Sequence, residues 1–520
     1  VTVRTTYRPI GETLPSLVFA GTMLFASGKA AMAVEDEPPE RQPNIIYILA
    51  DDLGYRELGC YGQERIRTPN LDRLAAEGMR FTRHYSGSPV CAPSRCVLLT
   101  GRHTGHTPIR GNKEMGGWGP EEPEGQMPLP DEQVTLAELL QQRGYVTGAF
   151  GKWGLGGPGS EGHPNHQGFD HFYGYLCQRV AHNYYPTHLW RNHDVDVLHN
   201  NDYFRAHQSI AEPLPNESDY DRYRGGDYAP MEMRHEALAF IRRNAERPFF
   251  LYVPSIIPHV ALQAPQEYVD RYPRAWDQEP YLGQQGYLPN PRPRATYAAM
   301  ISFLDETVGR IMETIADLGL DDETIIMFSS DNGTTFAGGV DRAFFDSLGE
   351  LRGTKCTLYE GGIRVPMIAR WPGRIEAGSV TDHVSAFQDV LPTVMEIVVG
   401  AAPGSIDGIS FAPTLLGSGA QREHEFLYWE YPERDQQQAV LIGDFKAIRT
   451  NLRRGNLTIE LYDLSADPPE SRDVAAEHPE IVERAERIMY EERRPSAAFP
   501  IKALDELDAA PAGSRDLHAR

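Results

Sequence analysis

Up to about residue 400, short runs of apolar residues alternate with longer stretches in which apolar positions return every three or four residues. The first run, Ile45–Ala50, is wholly apolar and stops at Asp51-Asp52, the signature of a buried strand. Thr68-Pro69-Asn70-Leu71 opens a helix that Gly78 closes. Thr135 with Glu138 three residues on forms a capping box ahead of Leu139 and Leu140, and Gly144 ends that helix before a strand over Tyr145–Phe150. A helix over Met233–Arg243 precedes a strand at Phe249–Val253. Tyr297, Met300, Ile301, Leu304, Val308, Ile311 and Ile315 keep helical spacing, and a strand over Thr324–Phe328 leads to Asp331-Asn332.

This alternation predicts an α/β protein with a large mixed, mostly parallel sheet sandwiched by helices. Ligands in such sheets sit at the carboxyl ends of strands. Polar clusters follow strands four times here, at Asp51-Asp52, Lys152, His259 and Asp331-Asn332, and are expected to form one site. After about residue 415 the texture changes to short strands at Leu427–Tyr431, Ala439–Ile442, Lys446–Thr450 and Ile459–Tyr462, then a charged amphipathic helix over Pro479–Arg493. The expected organisation is a leader over 1–33, a catalytic domain over 34–415, a small antiparallel sheet plus helix over 416–500, and a loosely held tail over 501–520.

The leader is read from Arg4 and Arg8 ahead of an apolar stretch, Leu14 to Ala26, and small residues at Ala31-Met32-Ala33. The apolar run is too short to span a bilayer, which needs about 20 residues. The expectation is a signal peptide and a periplasmic or secreted protein with no membrane span. A formal net charge of −23 argues against nucleic acid as partner but leaves a small anionic ligand open. The five cysteines, at 60, 91, 96, 177 and 356, show no zinc-finger spacing, and the four besides Cys91 read as buried thiols.

The most informative string is Ser88-Pro89-Val90-Cys91-Ala92-Pro93-Ser94-Arg95. Pro93 and Ser94 suit a helix start, which places Cys91 at a helix N-terminus where negative charge is favoured. Arg95, four residues on, returns to the same face. Asp51, Asp52, Asp331 and Asn332 are hard oxygen donors, a set suited to Ca²⁺ or Mg²⁺ rather than zinc.

With Pro43-Asn44-Ile45-Ile46, Thr68 to Leu74, Thr100-Gly101-Arg102-His103, Gly151-Lys152-Trp153, Pro258-His259, Asp331-Asn332-Gly333, Lys355 to Gly362 and Leu461 to Leu464, the chain resembles the type I formylglycine-dependent sulfatases of the alkaline phosphatase superfamily. That resemblance implies an alkaline phosphatase-like fold and hydrolysis of sulfate monoesters. It implies that a formylglycine-generating maturation enzyme oxidises Cys91 to an aldehyde, whose hydrate attacks sulfur with one hydroxyl and releases sulfate through the other in a two-step covalent route. It places Ca²⁺ on Asp51, Asp52, Asp331 and Asn332, with Mg²⁺ as an alternative, and gives catalytic roles to Arg95, Lys152, His259 and Lys355, His259 as the acid at the leaving group.

One position departs from the family: Gly154 stands where Gly-Lys-Trp is usually followed by histidine. His182 is the expected substitute base, with His163 and His166 as alternatives. Residues 169–193 are rich in aromatics and histidine, and Arg179, Trp190 and Arg191 are the expected substrate contacts, with Trp429, Glu430 and Arg434 reaching the same cleft. The expected substrate is a sulfated small molecule or saccharide. A phosphonate or phosphodiester hydrolase of the same superfamily and a non-catalytic sulfated-glycan-binding relative are the rival readings.

Overall fold

The computed structural model describes residues 42–117, 119 and 122–509; the expected leader and residues 510–520 lie outside the described residues. Eleven strands form the main sheet: β1 (Asn44–Ala50), β2 (Met79–Tyr85), β3 (Val146–Lys152), β4 (His171–Tyr175), β5 (His188–Arg191), β6 (Asp194–Val197), β7 (Phe249–Pro254), β8 (Thr324–Ser330), β9 (Arg364–Arg370), β10 (Ser379–Thr381) and β11 (Ser385–Ala386). Their order is β10-β2-β9-β8-β1-β7-β3-β4-β5-β6, with β11 beside β2. The centre, β8-β1-β7-β3-β4, is parallel, and the flanking β8–β9, β9–β2, β4–β5 and β5–β6 pairs are antiparallel. The mixed sheet is therefore as the alternation of elements requires.

Period-two geometry explains the apolar runs. In β1, Ile46, Ile48 and Ala50 enter one core while Ile45, Tyr47 and Leu49 enter the core on the other face. The Pro293–Asp317 helix packs its buried Tyr297, Met300, Ile301, Leu304 and Val308 into the first core. The second core takes Val97, Leu98 and Leu99 from the Cys91–Thr100 helix and Val390, Leu391 and Val394 from the Val390–Val399 helix. Thr135 and Glu138 make the expected capping box on Leu136–Gln141.

Four further strands, β12 (Leu427–Tyr431), β13 (Gln437–Ile442), β14 (Phe445–Arg449) and β15 (Glu460–Asp463), form the antiparallel second sheet, with the Pro479–Glu491 helix packed on it. Residues 501–509 differ from the loose tail expected there: Lys502–Ala509 is helical, and Ile501 and Leu504 are buried against Leu452. The apolar Ile501 and Leu504, spaced three apart, carry that packing, and Arg493 anchors the helix through Asp505 at 2.6 Å.

The second sheet is fastened to the main body by a fully buried ion cluster. Lys446 of β14 lies 3.0 Å from Glu360 and 3.0 Å from Glu470, all three side chains without solvent exposure. Glu360 takes further bonds from Tyr85 at 3.1 Å and Arg364 at 3.5 Å, and its amide donates to Glu470 at 2.7 Å. Burial, then the carboxylate of Glu360, pushes Glu470 above the usual carboxylate range. Removing one partner of a buried set leaves an uncompensated charge. Lys446→Met is expected to destabilise the fold by about 3–5 kcal/mol in denaturant unfolding; a loss under about 1 kcal/mol, the scale of an exposed pair, shows that the cluster is not the fastening.

Candidate active site

The carboxyl ends of β8, β1, β7 and β3 are adjacent, so the segments leaving them meet. Asp51 and Asp52 follow β1, Asp331 and Asn332 follow β8, Lys152 ends β3 and His259 lies five residues beyond β7. Cys91 is the first residue of the Cys91–Thr100 helix that follows β2, and Lys355 comes from the loop before β9. All eight of these side chains are buried.

Cys91 Sγ lies 3.3 Å from Asp51 Oδ1 and 3.5 Å from Lys355 Nζ. Lys152 Nζ donates to Asp51 Oδ2 at 2.6 Å, and Lys355 Nζ reaches Asp52 at 2.7 Å. Arg95 donates through Nε and Nη2 to Asp331 Oδ2 at 3.0 and 2.9 Å, through Nη2 to Asp51 Oδ2 at 3.0 Å, and through Nη1 to the Lys152 carbonyl. Asp52 has a φ of 65°, a left-handed conformation that aspartate tolerates better than most residues. Its amide donates to Asp331 Oδ1 at 3.2 Å and its Oδ1 accepts from Asn332 Nδ2 at 2.7 Å.

Three carboxylates thus face three permanent cations in a water-poor pocket. Burial alone would raise Asp51, but Lys152, His259, Arg95 and Lys355 hold it well below the usual carboxylate range. Burial and the Asp51 carboxylate push Asp331 up. Burial, then Asp51, pushes the Cys91 thiol far above the usual thiol range, so unmodified it would be almost wholly protonated and a poor nucleophile. Burial and Lys355 push His259 down to about 4. His259 Nδ1 lies 2.6 Å from the Val260 carbonyl, which requires an Nδ1–H donor and leaves Nε2 as the bare nitrogen, 3.7 Å from Asp52 Oδ2.

Asp51, Asp52, Asp331 and Asn332 fit a hard divalent cation. Asn332 Oδ1 is buried with no hydrogen-bond partner, while its Nδ2 is spent on Asp52 and the Gly333 carbonyl. A buried carbonyl oxygen without a partner is costly unless an unseen group meets it, and Asp51, Asp52 and Asp331 add carboxylate oxygens beside it. Ligand atoms of Asp51, Asp52, Cys91 and His259 also lie within 4.8 Å of one another.

A cavity of about 670 Å³ opens above this cluster, lined by His182, His259, Tyr287 and Lys355 below and by Lys113, Glu114, Glu433, Arg434 and Arg453 higher up. His182 stacks on His259 with ring centres 5.1 Å apart and planes 9° from parallel, and its Nδ1 is 3.0 Å from His207 Nε2. His163 and His166 are not brought to the cavity. His163 meets the Asn192 carbonyl and stacks on His193, and His166 meets the Ser160 carbonyl.

Of the expected substrate contacts, Trp190 and Arg191 lie on β5 near the sheet edge and do not line the cavity. Trp190 donates to Glu124 at 3.2 Å; Arg191 pairs with Glu236 at 3.0 Å and Asp196 at 3.1 Å, over the Tyr173 ring. Their place is structural because β5 runs antiparallel to β4 and carries them away from the parallel strand ends. Arg179 lines a neighbouring cavity with His188, Phe204 and His207. Trp429 and Glu430 are buried in β12, Glu430 paired with Arg110 at 3.0 Å, so only Arg434 of that group reaches the cavity. Glu114, Glu433, Tyr287 and Arg453 were missed because no motif surrounds them.

Gly154 has a φ of +79°, and a Cβ there would come within 3.0 Å of Gln178 Cγ. The space beside this residue is filled by the Gln178 side chain, whose Nε2 is buried and unpartnered. A side chain at 154 meets both backbone strain and this neighbour. Gly154→Ala is expected to cost about 1 kcal/mol or more in unfolding experiments, and adding Gln178→Ala should not restore it, since the strain is in the backbone; full recovery would locate the obstacle in Gln178 alone.

The fold and this charge-balanced cluster define a hydrolase of the alkaline phosphatase-like class. The model of the sulfatase family matches residues 43–401, and that of the N-sulphoglucosamine sulphohydrolase C-terminal region matches residues 353–494. Human arylsulfatase A (Homo sapiens) is 34% identical over 492 residues, 86% of this chain and 87% of its own. The N-acetylgalactosamine-6-sulfatase of Canis lupus familiaris is 33% identical over 416 residues, covering 78% of this chain and 71% of its own. Among solved structures, Ps i-CgsB in complex with k-i-k-neocarrahexaose superposes with a TM-score of 0.71 at 26% identity, over 91% of this chain and 99% of that one. The chain belongs to the sulfatase family, and its members are sulfuric ester hydrolases.

Proposed function

We propose that the chain is an exported sulfatase that removes sulfate from a saccharide, with residue 91 oxidised to formylglycine as nucleophile and a calcium ion, or magnesium in its place, on Asp51, Asp52, Asp331 and Asn332. The observation that carries this reading is Cys91 Sγ, too buried to ionise as a thiol, in contact with Asp51 and with Lys355, which lines a wide cavity. The maturation sequence Cys91-Ala92-Pro93-Ser94-Arg95 supports the modification by a formylglycine-generating enzyme. Export rests on the charge and apolar pattern of residues 4–33; no helix among the described residues is long and apolar enough to cross a membrane. The saccharide rests on the cavity's size and its mix of carboxylates, cations and aromatic rings, and on relatives that include the N-acetylgalactosamine-6-sulfatase.

The hydrated aldehyde at residue 91 supplies two hydroxyls on one carbon, one to attack sulfur and one whose deprotonation lets sulfate leave. The divalent cation, when bound, supplies Lewis-acid polarisation of a sulfate oxygen and lowers the pKa of a bound hydroxyl. The chain's own residues do the rest. Lys355 Nζ and Lys152 Nζ bracket residue 91 and place positive charge on the sulfate oxygens. Arg95 is consumed by Asp51 and Asp331, so it holds those carboxylates ionised and oriented. His259, fixed by its Nδ1–H on Val260, presents Nε2 to take and return the proton that the departing alcohol requires. His182 braces that ring by stacking.

The test joins mass spectrometry of the peptide spanning residue 91 to assays of the same protein on nitrophenyl sulfate, a nitrophenyl phosphodiester and monosulfated saccharides. Aldehyde at 91 with turnover of sulfated saccharide is expected; unoxidised cysteine in active protein, or preference for the phosphorus ester, overturns the reading. Lys152→Ala and His259→Ala should each lower kcat by about 10²–10³, whereas His182→Ala should reduce it far less. Chelation of the purified enzyme should lower both activity and the unfolding midpoint, and calcium should restore both; a ligand at about 100 times its Kd adds about 2.7 kcal/mol of stability.

A further inference from the structure

The cavity divides into a buried floor and an exposed rim. His182, His259 and Lys355 at the floor are buried, whereas Lys113, Arg434 and Arg453 at the rim are exposed. These three cations come from three separate segments: the loop after the Cys91–Thr100 helix, the loop between β12 and β13, and the turn after β14. None of the three forms an ion pair with a carboxylate of the described residues. Their contacts are to rings, to backbone and, for Arg434, to the side chains of Cys356 and Tyr431. Lys113 Nζ lies 5.9 Å from the centre of Phe499, Arg434 lies 4.7 Å over Phe336, and the Arg453 amide donates to the Asp435 carbonyl at 3.0 Å.

Some exposed arginines pair with carboxylates, as Arg274 does with Glu217 and Arg472 with Glu477, each at 2.5 Å, and others do not, as with Arg65 over the Phe344 ring. What sets Lys113, Arg434 and Arg453 apart is that all three line one cavity mouth, in a chain of net charge −23. Two carboxylates, Glu433 and Glu114, line the same cavity, and Glu433 feels the Arg434 charge without a contact-distance ion pair to it. Glu433 is turned toward Gly111, where an added Cβ would meet its Oε1 at 2.7 Å, and burial pushes its carboxyl up to about 7. Glu114 is half-buried, and burial raises its carboxyl too.

We infer that Lys113, Arg434 and Arg453 form a second anion subsite, which binds a sulfate or carboxylate group of the saccharide other than the ester being cleaved. This rests on the saccharide reading above and extends it: the substrate is polyanionic, with its scissile sulfate on the floor at residue 91 and a further anion at the rim. Guanidinium groups suit either anion, because their fork matches the paired oxygens of sulfate and carboxylate alike. Rim charges in a cleft also raise the local concentration of an anionic ligand, an effect that salt screens.

The test compares kcat/KM on four substrates: nitrophenyl sulfate, a monosulfated disaccharide with a neutral neighbour, a disulfated disaccharide, and a monosulfated disaccharide carrying a uronate. The wild-type enzyme should prefer the substrates with a second anion by about tenfold at low salt, and the preference should shrink as ionic strength rises. Arg434→Gln, Arg453→Gln and Lys113→Gln, singly and together, should erase that preference through KM and leave nitrophenyl sulfate turnover unchanged. Loss confined to the uronate substrate assigns the subsite to a carboxylate, and loss confined to the disulfated one assigns it to a sulfate. No preference in the wild type, or an undiminished preference in the triple variant with an unchanged unfolding midpoint, overturns the subsite. Turnover of nitrophenyl sulfate with no saccharide accepted would instead sink the saccharide reading itself.

Discussion

Three carboxylates, Asp51, Asp52 and Asp331, are held without solvent at the ends of neighbouring parallel strands, and the rest of the site is built to make that tolerable. Unpaired, each would be expelled or protonated. The cations that meet them come from elements that must therefore be present in fixed positions: Arg95 from the helix that begins at Cys91, Lys152 from the last residue of β3, Lys355 from the loop before β9. The same arrangement sets residue 91 between the Asp51 carboxylate and the Lys355 ammonium. The cluster is neutral overall before any ligand arrives, with three carboxylates set against one guanidinium and two ammonium groups.

The pairing also explains why one arginine and two lysines serve here. Arg95 has a planar fork and spends it on two carboxylates and a carbonyl, a geometry that locks the helix bearing Cys91 to the ends of β1 and β8. Lys152 and Lys355 are point charges that each hold one carboxylate and retain donors for something else. His259 is prepared differently. A backbone carbonyl fixes its tautomer and a stacked imidazole fixes its plane, so Nε2 is aimed without a charged partner in direct contact. His182, stacked on His259, lines the same cavity.

Much of this was legible in the sequence because two signals coincided. Apolar runs such as Ile45–Ala50 and Thr324–Phe328 announced buried strands, and the polar pairs at their ends announced where the strands would deliver chemistry. The Cys91 motif and the lysines were legible through the family resemblance. What escaped was set by tertiary geometry. The β2 and β9 strands are less uniformly apolar, β2 carrying Arg80, Thr82 and Arg83, and run antiparallel to each other. The aromatic stretch around Trp190 looked like a sugar platform, but the antiparallel turn of β5 points it to the sheet edge. The tail from residue 501 reads as loosely held, yet Ile501 and Leu504 dock its first residues, 501–509, against Leu452.

The second sheet has a use beyond closing the fold. Its loops, with the turn after β14 and the segment around Phe499, supply much of the upper cavity wall, while the catalytic groups come from the main sheet. The Glu360–Lys446–Glu470 cluster, buried from solvent, joins the two sheets. Rigid placement matters because a charged rim that moved would attract anions without orienting them, and the gain from a positioned group depends on holding the reacting atoms within a few tenths of an ångström of each other. Buried charge therefore appears twice in this molecule, once among the carboxylates at the strand ends and once between the two sheets.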